Sequence, residues 1–168
     1  MPARDPEIEA LLDEARITRL LGRYASMTDW LDFSGAAEIF TEDAQFDFGE
    51  MFRGDREGFI PFVTALESGY ARRIHMFGLP RIDVDGDSAR AECPSFIHAR
   101  TAGDPEHTDA TFVGRYIFDA VRTDAGWKLS RLAFYLNVLT VTNPPAGEEG
   151  PVNLADGWNL EHPDAPKG

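Results

Sequence analysis

Residues 88–100, 108–122 and 126–141 alternate apolar and polar side chains, one stretch after another. A period of two over such lengths is the mark of β-strands. The polar connections, containing Gly103-Asp104-Pro105 and Asp124-Ala125-Gly126, are far too short for the crossover that parallel neighbours need. The last half of the chain therefore reads as a long antiparallel meander. Pro94 within the first of these strands calls for a bend, and bent, long strands suit a strongly curved sheet.

Upstream the period is helical. Asp5-Pro6 offers a capping residue followed by proline at the first helical position. Ile8, Leu11, Leu12, Ala15, Leu20 and Tyr24 then recur at helical spacing, which predicts a helix over 6–27. A short helix over 34–40, capped by Asp32 or Ser34, follows. Residues 44–48 alternate, Gly49-Glu50 turns, and 51–53 return. Asp55 caps a third helix through about 67, ended by Ser68-Gly69. Residues 73–77 and 81–84 read as strands, and Asp85-Gly86 as a hairpin turn. The glycine comes too early for Asp83-Val84-Asp85-Gly86-Asp87 to be a calcium loop. Helices followed by a meander indicate an α+β domain. A helix lying in the concave face of its sheet would leave a pocket.

The 168 residues suffice for one domain over 1–142. From Asn143 the composition turns to Pro, Gly, Glu and Asp, so 143–168 is a tail, loose or laid on the surface. Val152, Leu154, Trp158 and Leu160 could anchor it. The formal net charge of −13 would repel phosphate backbones and anionic membranes. Neither nucleic acid nor a membrane is expected as a partner. The acidic, helical N-terminus is unlike a secretory signal and points to the cytoplasm. The single Cys93 sits in an apolar strand and reads as a buried, inert thiol. His75, His98, His107 and His162 are widely separated, so no metal site and no cofactor are expected.

The stretches RYASMTDWLDFSGAAEIFTEDAQFDFGEMFRG, HMFGLPRIDVDGDSARAECPSFIHAR and GRYIFDAVRTDAGWKLSRL resemble the SnoaL-like branch of the nuclear-transport-factor-2-like superfamily. The resemblance implies a cone-shaped, mostly antiparallel sheet wrapped round a pocket, an α+β barrel. It also implies an acid–base site like those of scytalone dehydratase, bile acid 7α-dehydratase and hexachlorocyclohexane dehydrochlorinase. Those sites use an Asp at the exit of the first helix and a His on a strand, positions that fall on Asp29 and His75. A Tyr five positions before the Asp, as in bile acid 7α-dehydratase, falls on Tyr24. The second polar position falls on His98, and a looser match on Asn137. The family implies a homo-oligomer, a trimer by preference or else a dimer.

Loss of water β to a carbonyl needs a base for the α-proton and an acid for the hydroxyl, and an imidazole oriented by a carboxylate suits the first task. On this reading His75 is the base, Asp29 orients it, and Tyr24 or His98 supplies the acid. Phe96 and His98 share one strand face. With Phe48 and Phe112 they suggest walls for a hydrophobic, aromatic or polycyclic carbonyl substrate. The chain is then expected to be a cofactor-free lyase of the dehydratase kind. An isomerase or polyketide-type cyclase using the same pocket is the alternative, and a non-catalytic small-molecule-binding module a further one. Taken without the resemblance, Asp29 is also a helix-end residue, His75 a structural histidine, Tyr24 a core aromatic and His98 a solvent-facing strand residue.

Overall fold

The computed structural model describes residues 5–101 and 108–143. The Gly103-Asp104-Pro105 turn, His107, His162 and the tail residues Val152, Leu154, Trp158 and Leu160 lie outside the described residues. Along the chain come α1 (Pro6–Trp30), α2 (Ala36–Ile39), β1 (Phe40–Asp47), β2 (Arg53–Asp55), α3 (Arg56–Ser68), β3 (Tyr70–Phe77), β4 (Arg81–Asp85), β5 (Ser88–Thr101), β6 (Asp109–Thr123) and β7 (Gly126–Thr142).

The strands form one sheet in the order β2-β1-β7-β6-β5-β3, with β4 paired to the first part of β5. Every pairing is antiparallel except β1 with β7. The sheet curves without closing, so β2 and β3 remain edges and the expected barrel is an open one. Part of the curvature is built into β7. Its register against β6 slips between Val113 and Gly114 and again between Asp119 and Ala120, leaving Asn137 and Ser130 as extra residues. Each such bulge bends its strand and sharpens the local twist.

The Asp5 carboxylate accepts the Glu7 backbone N–H at 2.9 Å, and Pro6 follows at the first helical position, as expected. The helix runs three residues beyond the expected 27. Inside the buried turn the Thr28 hydroxyl donates to the Tyr24 carbonyl at 3.0 Å, and the chain stops only where Leu31 takes a left-handed conformation (φ 56°). For a residue with a branched side chain that conformation costs about 1–2 kcal/mol. It is held by the bond from the Asp32 N–H to the Met27 carbonyl. The second helix is a single turn entered through Gly35, with no side-chain cap. Asp32 instead closes a turn by accepting the Ser34 N–H. Asp55 caps α3 through the Gly58 N–H at 2.9 Å, as expected.

The core lies between α1, α3 and the concave face. Tyr24, Phe40, Phe59, Phe118, Leu129 and Leu132 are among its fully buried members. Tyr24 meets Phe40, Tyr116 and Phe118 edge to face, and Phe46 stacks on Phe59 with centroids 3.9 Å apart. At the far end of α1, buried Asp13 receives bonds from Arg122 (2.6 Å), Arg16 (2.8 Å) and the Trp127 indole (2.9 Å). These tie the helix to β6 and β7. Cys93 is buried, and its thiol donates to the Gly78 carbonyl at 3.4 Å. Burial pushes that thiol up to about 11, which keeps it protonated and unreactive. Gly86 (φ 58°) and Asp87 form the two-residue turn between β4 and β5, one position later than the expected Asp85-Gly86, because Asp85 still pairs with Ser88.

Candidate active site

On β3, Arg73 and His75 point inward with Phe77, whereas Ile74 and Met76 point out. As an edge strand β3 pairs only with β5, so alternate N–H groups on its other side need partners from elsewhere. The last turn of α1 supplies one. Asp29 Oδ1 accepts the His75 backbone N–H at 2.9 Å and meets ring Nδ1 at 2.8 Å, while Oδ2 accepts the same N–H at 3.2 Å. The two side chains are only 14% and 3% exposed. Carboxylate oxygens accept, so Nδ1 is the donor and Nε2 keeps its lone pair. Arg73 fixes the same junction from below. It donates to the Asp29 carbonyl at 3.1 Å and to the Tyr70 carbonyl at 2.6 Å.

His75 borders two spaces. One is an open cleft of about 780 Å³ between α1, where Leu21, Ala25 and Asp29 line it, and the β3–β4 connection with Leu79 and Pro80. The other is a chamber of about 100 Å³ under the sheet, walled by Phe48, Phe112, Tyr116, Phe134 and Ile97. Glu67 and Tyr70 also open onto it. Glu67 is buried, and its Oε2 lies 3.4 Å from Arg73 Nε. Burial raises the Glu67 carboxyl above its ordinary value, opposed by the nearby His75 and Arg73 charges. Tyr24 and Tyr116 are both fully buried and hydrogen-bonded to each other. Desolvation is the main cause holding both phenols well above the ordinary 10.0.

Asp29, His75, Phe48 and Phe112 are thus brought together. Four other expected residues are placed elsewhere. Phe96 and His98 do share one face of β5, but it is the outer one. Phe96 is 40% exposed, and His98 Nδ1 pairs with the Thr111 hydroxyl at 3.0 Å. Alternation divides a strand into two faces without saying which is concave. Here the small and apolar Cys93, Ser95, Ile97 and Ala99 take the inside. Arg90, Glu92 and Arg100 have the same parity as His98, and that was the available signal. Asn137 is exposed, displaced by the bulge opposite Val113 and Gly114. Tyr24 does not reach the chamber wall, because α1 continues past Met27 and aims its ring into the core. Tyr116 stands at the wall instead.

Sequence reading missed Glu67 and Tyr116. Glu67 falls on the helical face of Phe59 and Val63, eight and four residues upstream, where a carboxylate is out of place. Tyr116 has the parity of Phe112 and Phe118. Among the described residues no group of three or more His, Cys, Asp and Glu side chains is arranged to hold a metal ion. No described helix is long and apolar enough to cross a membrane.

Residues 9–133 match the family model of the SnoaL-like domain. Comparison with curated proteins gave no match. Among solved structures, a scytalone dehydratase-like protein of Novosphingobium aromaticivorans superposes with a TM-score of 0.71 at 19% identity, covering 82% of this chain and 92% of its own. Hexachlorocyclohexane dehydrochlorinase LinA-type3 of Novosphingobium barchaimii gives 0.72 at 16% identity, covering 81% and 94%. The Kfla4162 protein of Kribbella flavida gives 0.71 at 22%, covering 78% and 95%. Likenesses at these identities establish the fold.

Proposed function

Since the chain belongs to the SnoaL-like domain family, whose structural neighbours include dehydratase- and dehydrochlorinase-type proteins, we propose that it is a lyase that removes water from a hydrophobic β-hydroxy carbonyl compound. The observation that carries this reading is the Asp29–His75 pair, sheltered from solvent and bordering an aromatic-walled chamber. His75 Nε2 takes the α-proton, the C–H electrons become the new double bond, and the hydroxyl departs. Asp29 holds Nδ1–H, keeps the ring in the tautomer that can act as base, and stabilises the imidazolium that results. A buried carboxylate–imidazole pair with no task would be a costly ornament.

The two spaces limit the substrate. About 100 Å³ is less than the roughly 150 Å³ that admits a benzene ring. A polycyclic body therefore rests in the wider cleft, with its reacting carbons at His75 and only a small group entering the chamber. The aldol adduct of benzaldehyde and acetone is a suitable probe, because its dehydration gives the ultraviolet-absorbing benzylideneacetone. Turnover by the wild-type chain, lost in His75→Ala, is the expected result. Exchange of substrate α-protons with deuterium while every oxygen is kept would replace the dehydratase by an isomerase. Retained affinity with neither product nor exchange would leave a binding module.

A further inference from the structure

An acid for the departing hydroxyl is still needed, and neither Tyr24 nor His98 reaches the chamber. We propose, resting on the dehydratase reading above, that Glu67 is a catalytic residue which enters turnover as the neutral carboxylic acid and protonates the leaving oxygen. The argument begins with placement. Glu67 is the penultimate residue of α3, where the helix carbonyls present their negative end and no basic residue stands in the last turn. It is buried, opens onto the same chamber as His75, and has Tyr70 and Tyr116 beside it on that wall.

The charged groups around it are few. Arg73 and His75 face it from β3, and the Asp29 carboxylate and Tyr24 phenol from α1. With both carboxyls ionised, the Arg73 cation offsets only one of them while His75 is neutral. One proton shared between Glu67 and His75 completes the balance. Arg73 is already committed to the carbonyls of Asp29 and Tyr70, and its Nε, at 3.4 Å from Glu67, makes no hydrogen bond among the described residues. That is a loose contact for a fully charged pair. Burial favours the neutral acid, whereas the His75 and Arg73 charges oppose it.

That opposition sets the timing. While His75 is neutral, Glu67 holds its proton. Once Nε2 has taken the α-proton, the new imidazolium favours the carboxylate. The C–H pair forms the C=C bond, and the C–O bond breaks with its electrons on oxygen. The Glu67 proton then completes a water molecule. His75 is left cationic and Glu67 anionic. Transfer of the proton from Nε2 back to the carboxylate through that water restores both groups, so nothing is consumed but the substrate.

The test compares two leaving groups on one skeleton, the benzaldehyde–acetone aldol adduct and its O-acetyl ester. Acetate departs without being protonated. Glu67→Gln should slow elimination of water by about 10²–10⁴-fold and that of acetate by less than about tenfold, while His75→Ala abolishes both. Retained acetate elimination also shows that the variant is folded. Equal losses on both compounds, or none on either, overturn the assignment. If the wild-type chain eliminates neither, the dehydratase reading fails by itself. Infrared difference spectra of the wild type against Glu67→Gln then judge the carboxyl independently. Above the ordinary glutamate value of 4.5, a protonated C=O band should be present only in the wild type and should shift when benzylideneacetone binds. A wild type without that band overturns the proposal.

Discussion

The Asp29 carboxylate is bound twice by one residue, through the His75 backbone N–H at 2.9 Å and the His75 ring Nδ1 at 2.8 Å. One hydrogen bond closes the edge of β3, and the other orients the base. Replacing Asp29 by Asn keeps the size but puts an NH₂ donor where one of two acceptors stood. With the amide oxygen in the place of Oδ1, the NH₂ confronts the backbone N–H that Oδ2 accepts at 3.2 Å; with the amide flipped, the NH₂ faces ring Nδ1 and favours the other tautomer, and neither arrangement offers the imidazolium a negative charge. We expect kcat/KM on the aldol probe to fall by about 10³–10⁴-fold, with the fold retained. Steady-state rates paired with circular dichroism check this. Near-normal turnover in Asp29→Asn would remove the carboxylate from the mechanism.

The parity of β5 gives a paired prediction. His98→Ala alters a residue on the outer face, so turnover should stay within about twofold and stability within about 1 kcal/mol. Ala99→Leu changes a smaller residue on the inner face, where only about 100 Å³ is open. It should raise KM or abolish activity by filling the chamber. The reverse pattern in the two kinetic series would mean that the faces have been assigned the wrong way round.

Gly114, on β6, faces the bulge of β7 at Asn137. A methyl group added there would collide with the Tyr135 carbonyl oxygen and press on the Phe134 ring at 3.0 Å. Since the main obstacle is backbone, relief requires moving the strand. Gly114→Ala should destabilise the domain by about 1–3 kcal/mol, read as a lower urea midpoint. Ser130→Ala, at the other bulge, is the control and should cost little.

Stability should also fall in acid, and Asp13 is one cause. Its bonds to Arg122, Trp127 and Arg16, foremost that to Arg122, hold the carboxyl far below the ordinary 3.8 in the folded chain. In the unfolded chain it titrates near 3.8, so the folded state binds fewer protons. The contribution is complete above that value and is lost as pH falls below it toward the folded value. Asp13→Asn should destabilise the protein by about 2–3 kcal/mol at neutral pH. It should also flatten the acid limb of a melting-temperature profile measured from pH 7 downward. An unchanged acid limb would show that other carboxyls govern it.

The order of elements was legible because stretches with a period near 3.6 and stretches with a period of two are set apart by turn residues, and the three longest strands follow one another at the end. Asp5, Asp55 and Gly86 were legible because caps and tight turns depend on a few neighbouring residues. Where α1 ends was not, because Thr28 bonding back to the Tyr24 carbonyl prolongs the helix from within a buried turn. Asn137 was misplaced because a bulge is set by how β7 meets β6, and no residue in β7 announces it. Phe96 and His98 were misplaced by one bit of information, the side that is concave, although Arg90, Glu92 and Arg100 carried that bit. Asp29 and His75 came from family resemblance, since 46 residues separate them and only the docking of α1 on β3 joins them. Glu67 was the clearest missed signal, an acid in line with Phe59 and Val63.

A sheet whose ends never meet has no hoop of hydrogen bonds to fix its girth. The walls that bound the hollow, β1 with β2 and α3 on one flank and β3 on the other, share no ladder; the Gly69 connection from α3 to β3 and packed side chains join them. Altered substrate size can therefore be accommodated by repacking Phe59 and Phe62 of α3 against Phe48, leaving every ladder of the sheet intact. For this architecture, a new ligand shape asks for a few exchanged aromatic residues and no new topology.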